Sequence, residues 1–124
     1  MTFEEEQIKS MLNSAFRLLP PEQTCRDVLE VKRYFVMSML FAKADAVFEP
    51  SLASGRPDSV VKTEKAIYIV EFKYAQSAEA ALAQCREKRY AAAYAADGRR
   101  VVYVGVNYDP AARTIDAVKT EPVK

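Results

Sequence analysis

The chain has 124 residues, enough for one domain with a single core, and it contains no histidine, which excludes a Ser-His-Asp triad, a Cys-His dyad and any zinc site built on imidazole. Hydrophobic residues make up 50% and charged residues 28%, the balance of a globular domain rather than a disordered one. With 18 Lys+Arg against 17 Asp+Glu the net charge is +1, so attraction to nucleic acid has to come from a local basic patch.

The N-terminus, Met1-Thr2-Phe3-Glu4-Glu5-Glu6, is acidic where a secretory signal would be basic. No apolar run approaches the roughly 20 residues of a membrane span, so a cytoplasmic protein without membrane contact is expected. Ile8, Met11, Leu12, Ala15, Leu18 and Leu19 recur at three-and-four spacing and predict a helix from Glu4 to Leu19, ended by Pro20-Pro21. Thr24 and Asp27 resemble a capping box for a second helix, running through Val28, Val31, Tyr34, Phe35 and Met39 to about Ala42. Its half from Tyr34 to Phe41 is apolar on nearly every side and belongs inside the core. Cys25 and Cys85 form no CxxC pair and are read as buried, reduced thiols.

Ala46-Val47-Phe48 and Leu52 suit a short strand that Pro50 confines to an edge or a bend, and Ser54-Gly55-Arg56-Pro57 is loop chemistry. Ser59 to Thr63 and Ala66 to Tyr74 are rich in Val, Ile, Tyr and Phe with only Glu64-Lys65 between them, which predicts a hairpin. Ser77 can cap an alanine-rich helix from Ala78 to about Ala96, stopping at Asp97-Gly98. Arg100 to Tyr108 reads as a buried strand, and Thr114 to Val118 adds a last one. The order α-α-β-β-β-α-β-β, with a helix long enough for a right-handed parallel crossover, predicts an α/β (α+β-like) fold with a mixed sheet flanked by helices.

The hairpin carries the chemistry. A two-residue Glu64-Lys65 turn pairs Lys62 with Ile67, Val60 with Ile69 and Asp58 with Glu71. Alternation along the strand puts Lys73 on the face of Glu71, so two acids and an amine converge at one end of the sheet. Like charges opposed across a sheet are destabilising and call for a partner. A divalent cation supplies it: Mg²⁺ and Mn²⁺ favour hard oxygen ligands, here two carboxylates, a backbone carbonyl such as that of Phe72, and waters. Lys73 would orient or deprotonate a water, which meets the needs of phosphodiester hydrolysis. A solvated strand face or a cross-strand ion pair also explains Glu-x-Lys. Against it stands position, since Glu71 follows the apolar run Ile67-Tyr68-Ile69-Val70 directly.

Gly55-Arg56-Pro57-Asp58, twelve intervening residues and then Glu71-Phe72-Lys73 resemble the PD-(D/E)XK nuclease signature. Together with Ala81-Leu82-x-Gln84, Lys88-x-Tyr90-Ala91 and Val104-Gly105-Val106-Asn107, in that order, the chain is similar over roughly residues 30 to 120 to a narrower group. That group is the PD-(D/E)XK nuclease domain at the C-terminus of bacterial proteins carrying an AAA-ATPase-like region.

The resemblance implies a restriction-endonuclease-like core over residues 30–120 of a single domain 1–124, with 1–29 as an N-terminal helical extension. It implies a divalent-metal-dependent nuclease using Mg²⁺ or Mn²⁺ to hydrolyse phosphodiester bonds, with DNA as the expected nucleic acid. The alternative is a catalytically inactive nuclease-like fold that binds nucleic acid or a protein partner. Carried onto this sequence, it makes Asp58 and Glu71 metal ligands and Lys73 the catalytic amine. Gln84 matches the glutamine the family places beside the site, and Glu30 is the candidate for a further metal ligand from the preceding helix. Family members tend to have a polar residue after the aromatic pair following that glutamate, whereas Tyr34-Phe35 is followed by Val36. Lys88, four residues beyond Gln84, shares its helical face and can meet a phosphate or pair with Glu71. Arg86, Lys88 and Arg89, with Arg99-Arg100, are candidates for a phosphate-contacting surface, and a solvated helix face explains them equally. Tyr90 is read as packing. No Walker-type GxxxxGK[ST] is present, so the chain is expected to be a stand-alone domain or a fragment that had an ATPase-like region, and the apolar N-terminal helices are a candidate homodimer interface.

Overall fold

The computed structural model describes residues 3–16, 45–48, 50–52 and 55–123. Its elements are α1 (Phe3–Phe16), β1 (Asp45–Phe48), β2 (Ser59–Lys62), β3 (Ala66–Tyr74), α2 (Ala78–Lys88), a 3₁₀ helix (Tyr90–Tyr94), β4 (Arg100–Asp109) and β5 (Thr114–Pro122). The five strands form one mixed sheet in the order β1-β2-β3-β4-β5, antiparallel throughout except for the parallel pair β3-β4. Among the described residues the order is therefore α-β-β-β-α-β-β instead of α-α-β-β-β-α-β-β. The predicted second helix, from Thr24 to about Ala42 and including Cys25 and Glu30, lies outside the described residues. Among those described, no helix is long and apolar enough to cross a membrane.

The β2-β3 hairpin has the predicted register, with Lys62 opposite Ile67 and Val60 opposite Ile69. Glu64-Lys65 is a poor pair for a hairpin turn that needs positive φ, and neither residue adopts it. Thr63 compensates. Its N–H donates to the Ala66 carbonyl (2.8 Å), and its hydroxyl both donates to that carbonyl (3.1 Å) and accepts from the Ala66 N–H (3.0 Å). Arg99 donates to the Thr63 carbonyl (3.2 Å) and the Arg100 N–H to that of Lys65 (3.2 Å), so the start of β4 grips the turn from the other side.

Strand alternation sorts the core into two layers. On one face Val61, Val70, Phe72, Val102, Val104, Val106, Tyr108, Ile115 and Val118 pack with Leu12 of α1. On the other, Val60, Ile67, Ile69, Val101 and Tyr103 pack with Leu82 and Cys85 of α2 and with Tyr90. Glu71 and Lys73 continue the Ile67-Ile69 row, so they rise on the α2 face. Helix α1 also closes the exposed edge of β5. The Asn13 amide accepts from the Ile115 N–H (2.8 Å) and donates to the Ile115 carbonyl (3.1 Å), while the Glu5 carboxylate accepts from the Thr120 N–H (2.8 Å). An edge strand whose backbone groups are occupied this way is a poor template for pairing with another chain.

Two elements depart from the predicted bounds. The third predicted helix does not run to Ala96: α2 ends at Lys88, Arg89 turns left-handed (φ 51°, ψ 45°), and a 3₁₀ turn takes over. The break is compensated by the Tyr103 hydroxyl, which accepts from the Ala91 N–H (3.0 Å), and by burial of Tyr90. β5 extends four residues past Val118, because its second half alternates polar residues along a solvated edge and gives no apolar signal.

Close approach of α2 to β4 depends on Gly105. A Cβ at that position would overlap the Ala78 carbonyl and press on the Ala81 and Leu82 side chains, whereas one at Gly98 would meet nothing within 4 Å. Gly105→Ala should therefore cost about 1–3 kcal/mol in urea-unfolding free energy, the usual scale of overpacking, and Gly98→Ala less than about 0.5 kcal/mol.

Candidate active site

The β2-β3 ladder stops at the pair Ser59-Val70, and at the next position side chains replace backbone carbonyls as acceptors. The Asp58 N–H donates to Glu71 Oε1 (3.0 Å), and the Phe72 N–H donates to Asp58 Oδ2 (2.7 Å). Each acid is thus held by the backbone beside the other acid. Pro57 before Asp58 cannot donate to a ladder, which suits a strand that ends there. Both carboxylates are buried, Asp58 at 7% and Glu71 at 2% exposure.

Lys73 stands two residues beyond Glu71 on the same face, and its Nζ donates to Gln84 Oε1 of α2 at 2.7 Å. Asp58, Glu71, Phe72, Lys73, Tyr74, Gln76 and Gln84 line a cleft of about 220 Å³ open to solvent. The expected cluster of Asp58, Glu71, the Phe72 backbone, Lys73 and Gln84 is thereby brought together from the residue before β2, from β3 and from α2.

The basic candidates are placed differently. Arg86 is not brought to the cleft. Its guanidinium donates to Glu79 (2.6 Å) and to both carboxylate oxygens of Glu121 (3.0 and 3.1 Å), fastening α2 to β5. These ion pairs raise the pKa of Arg86 and lower that of Glu79, chiefly through the hydrogen bond between them. Lys88 and Arg89 are exposed at the C-terminal end of α2. Glu30 lies outside the described residues.

Asn107 is the residue that sequence reasoning passed over as part of a strand motif. It sits beside Lys73 in the parallel β3-β4 register, is buried, and uses both ends of its amide. Its Oδ1 accepts from the Gln76 N–H (2.9 Å) and its Nδ2 donates to Asp116 (2.8 Å). The Ala75 N–H donates to the Tyr108 carbonyl (2.8 Å), with Ala75 at φ 56°. Ser77 then caps α2 by accepting from the Ala80 N–H (3.0 Å). Asn107 therefore anchors the turn that launches the helix carrying Gln84. A lone buried asparagine closing an apolar strand was the available signal.

The donor set suits a hard cation: two carboxylates and a nearby main-chain carbonyl, with no imidazole anywhere in the chain. The one thiol near them, Cys85, is a free, buried cysteine. Burial first, and then the negative charges of Glu71 and Asp58, push its pKa up, so it stays a protonated thiol and a poor metal ligand. Among the described residues no three acidic or thiol side chains converge, so such an ion would complete its shell with carbonyl and water oxygens.

Once Asn107 is shortened, the Gln76 N–H loses its acceptor. Asn107→Ala should lower the unfolding free energy by about 1–3 kcal/mol, while Asp116→Ala, at its exposed partner, should cost less than about 1 kcal/mol. Urea titration of the two variants checks the difference.

The model of the PD-(D/E)XK nuclease superfamily matches residues 28–118, which span every residue of the cleft. No curated protein is significantly similar to the chain.

Proposed function

This chain belongs to the PD-(D/E)XK nuclease superfamily, and from that membership we propose that it hydrolyses phosphodiester bonds in DNA with the help of Mg²⁺ or Mn²⁺. The superfamily consists typically of metal-dependent hydrolases acting on nucleic acid. The observation that carries the reading is the backbone-locked pair Asp58 and Glu71 beside an ammonium group in one open cleft.

In this reading Asp58, Glu71 and the Phe72 carbonyl hold the cation, with Glu30 as a further candidate ligand. A bound divalent ion supplies Lewis-acid neutralisation of the charge that builds on the phosphate. The protein's own groups do the rest. Lys73 has three N–H donors, one of which is engaged by Gln84, and it lines the cleft, so the others would be available to a phosphate oxygen and the incoming water of a bound substrate. Because the acids are fixed by main-chain N–H groups, they need no rearrangement to present their charge. Lys88 and Arg89 at the end of α2 extend the positive surface along which a polyanionic strand would run, and Arg86 contributes through its strut to β5.

Plasmid and linear DNA incubated with Mg²⁺ or Mn²⁺ should be cut by the wild type and not by Glu71→Ala; equal background from both would overturn the proposal. Lys73→Ala should lower turnover by about 10²–10⁴-fold, the scale of proton-transfer catalysis. The same variant should retain Mn²⁺ affinity in calorimetric titration, whereas Asp58→Asn should lose it.

A further inference from the structure

Gln76 lines the cleft and is exposed, and among the described residues no hydrogen bond engages its side-chain amide. Its main chain is nevertheless held firmly. The Gln76 N–H donates to Asn107 Oδ1 (2.9 Å), and Asn107 is itself buried and fixed by its Nδ2 on Asp116 (2.8 Å). One residue earlier the Ala75 N–H donates to the Tyr108 carbonyl (2.8 Å). Between these two bonds the chain passes through Ala75 at φ 56°, a left-handed conformation that is unfavourable for a residue with a Cβ. Such strain persists only where neighbouring contacts over-determine it, and it collects at binding sites.

The lining of the cleft decides what that amide can meet. Asp58 and Glu71 offer oxygens, and Gln84 Oε1 is taken by Lys73. The two rings in the lining are committed elsewhere: Phe72 is buried, and Tyr74 stacks on Tyr108 in the layer under α1 with centroids 5.7 Å apart. A base entering the cleft would find no aromatic platform, the usual support for a base held out of its stack. A phosphate oxygen would find N–H donors, from the Lys73 ammonium and from the Gln76 amide. At about 220 Å³ the cleft also falls below the roughly 300–1,000 Å³ of sites that enclose a whole small molecule, so it suits one linkage of a strand.

We propose that Gln76 is a substrate-binding residue whose side-chain amide donates to a non-bridging oxygen of a phosphodiester in the strand that occupies the cleft. The inference deepens the nuclease reading, on which it rests for the identity of the ligand. Because the turn is already anchored to β4, residue 76 has little main-chain freedom left to lose when the strand binds.

The side chain is exposed and unbonded, so Gln76→Ala, Gln76→Glu and Gln76→Lys should all keep the wild-type midpoint in urea. In EDTA, where nothing is cut, the anisotropy of a labelled DNA oligonucleotide should show binding weakened about 10-fold by Gln76→Ala, the scale of a hydrogen bond to a charged group. Gln76→Glu should weaken it further and Gln76→Lys should restore it. A change of charge near the cleft would by itself produce those last two effects, so the deciding measurement places a neutral methylphosphonate at one linkage after another along the strand. At one linkage the wild type should lose about 10-fold more affinity than Gln76→Ala does, since the two changes remove the same bond. Equal losses at every linkage, or a wild type that binds no DNA, would overturn the proposal. With Mn²⁺ present Gln76→Ala should raise KM about 10-fold and leave kcat unchanged. If the wild type cuts DNA, Glu71→Ala does not and the linkage scan is flat, the nuclease reading stands and the role of Gln76 falls. If the scan finds the linkage while neither protein cuts, the phosphate contact stands and the nuclease reading falls.

Discussion

Two buried acids that would repel one another are held side by side by the main chain itself. The Asp58 N–H donates to Glu71, and the Phe72 N–H donates to Asp58, at the point where the hairpin ladder runs out of carbonyl acceptors. Hydrogen bonds to ionised groups are stronger than those between neutral groups, and here they offset part of the cost of burying charge. The site's geometry follows from this substitution of carboxylate for carbonyl, because it fixes both acids relative to β3 and so relative to Lys73.

The second wall of the cleft is a helix, and its placement is a matter of steric access and polar anchoring more than of helix propensity. Gly105 lets the α2 backbone settle against β4, Asn107 and Ser77 define where the helix begins, and Arg89 defines where it ends. The strut from Arg86 to Glu121 adds little free energy, since solvent and salt screen an exposed ion pair. Its effect is directional, tying the middle of α2 to β5. The low-dielectric layer beneath holds Cys85 as a neutral thiol.

Much of the fold was legible because the hydrophobic pattern changes period where the elements change. β3 spans Ala66–Tyr74 as its Val-, Ile- and aromatic-rich run predicts, and the hairpin register, which runs from Lys62–Ile67 to Ser59–Val70 and brings Asp58 next to Glu71, follows from the two-residue connection Glu64-Lys65. The α-helix was overextended to Ala96 because alanine-rich sequence satisfies helix periodicity on either side of Arg89. Nothing local announces a left-handed residue that is not glycine or asparagine. The length of β5 was underestimated for the converse reason: polar residues on an edge look like loop until a helix supplies Glu5 to bind Thr120.

By itself the sequence determined the class of fold, the two acids and the amine, and the family signature that spaces them, since each of these depends on residue type and on neighbours within one hairpin. Only the tertiary structure decided that Arg86 serves as a strut, that Asn107 anchors the turn before α2, and that the Tyr90 hydroxyl reaches the Arg56 carbonyl. Those roles depend on contacts between residues seven to thirty-five positions apart and on a break in helical geometry. Such contacts form only when the sheet and its helices have packed, so no periodicity along the chain records them.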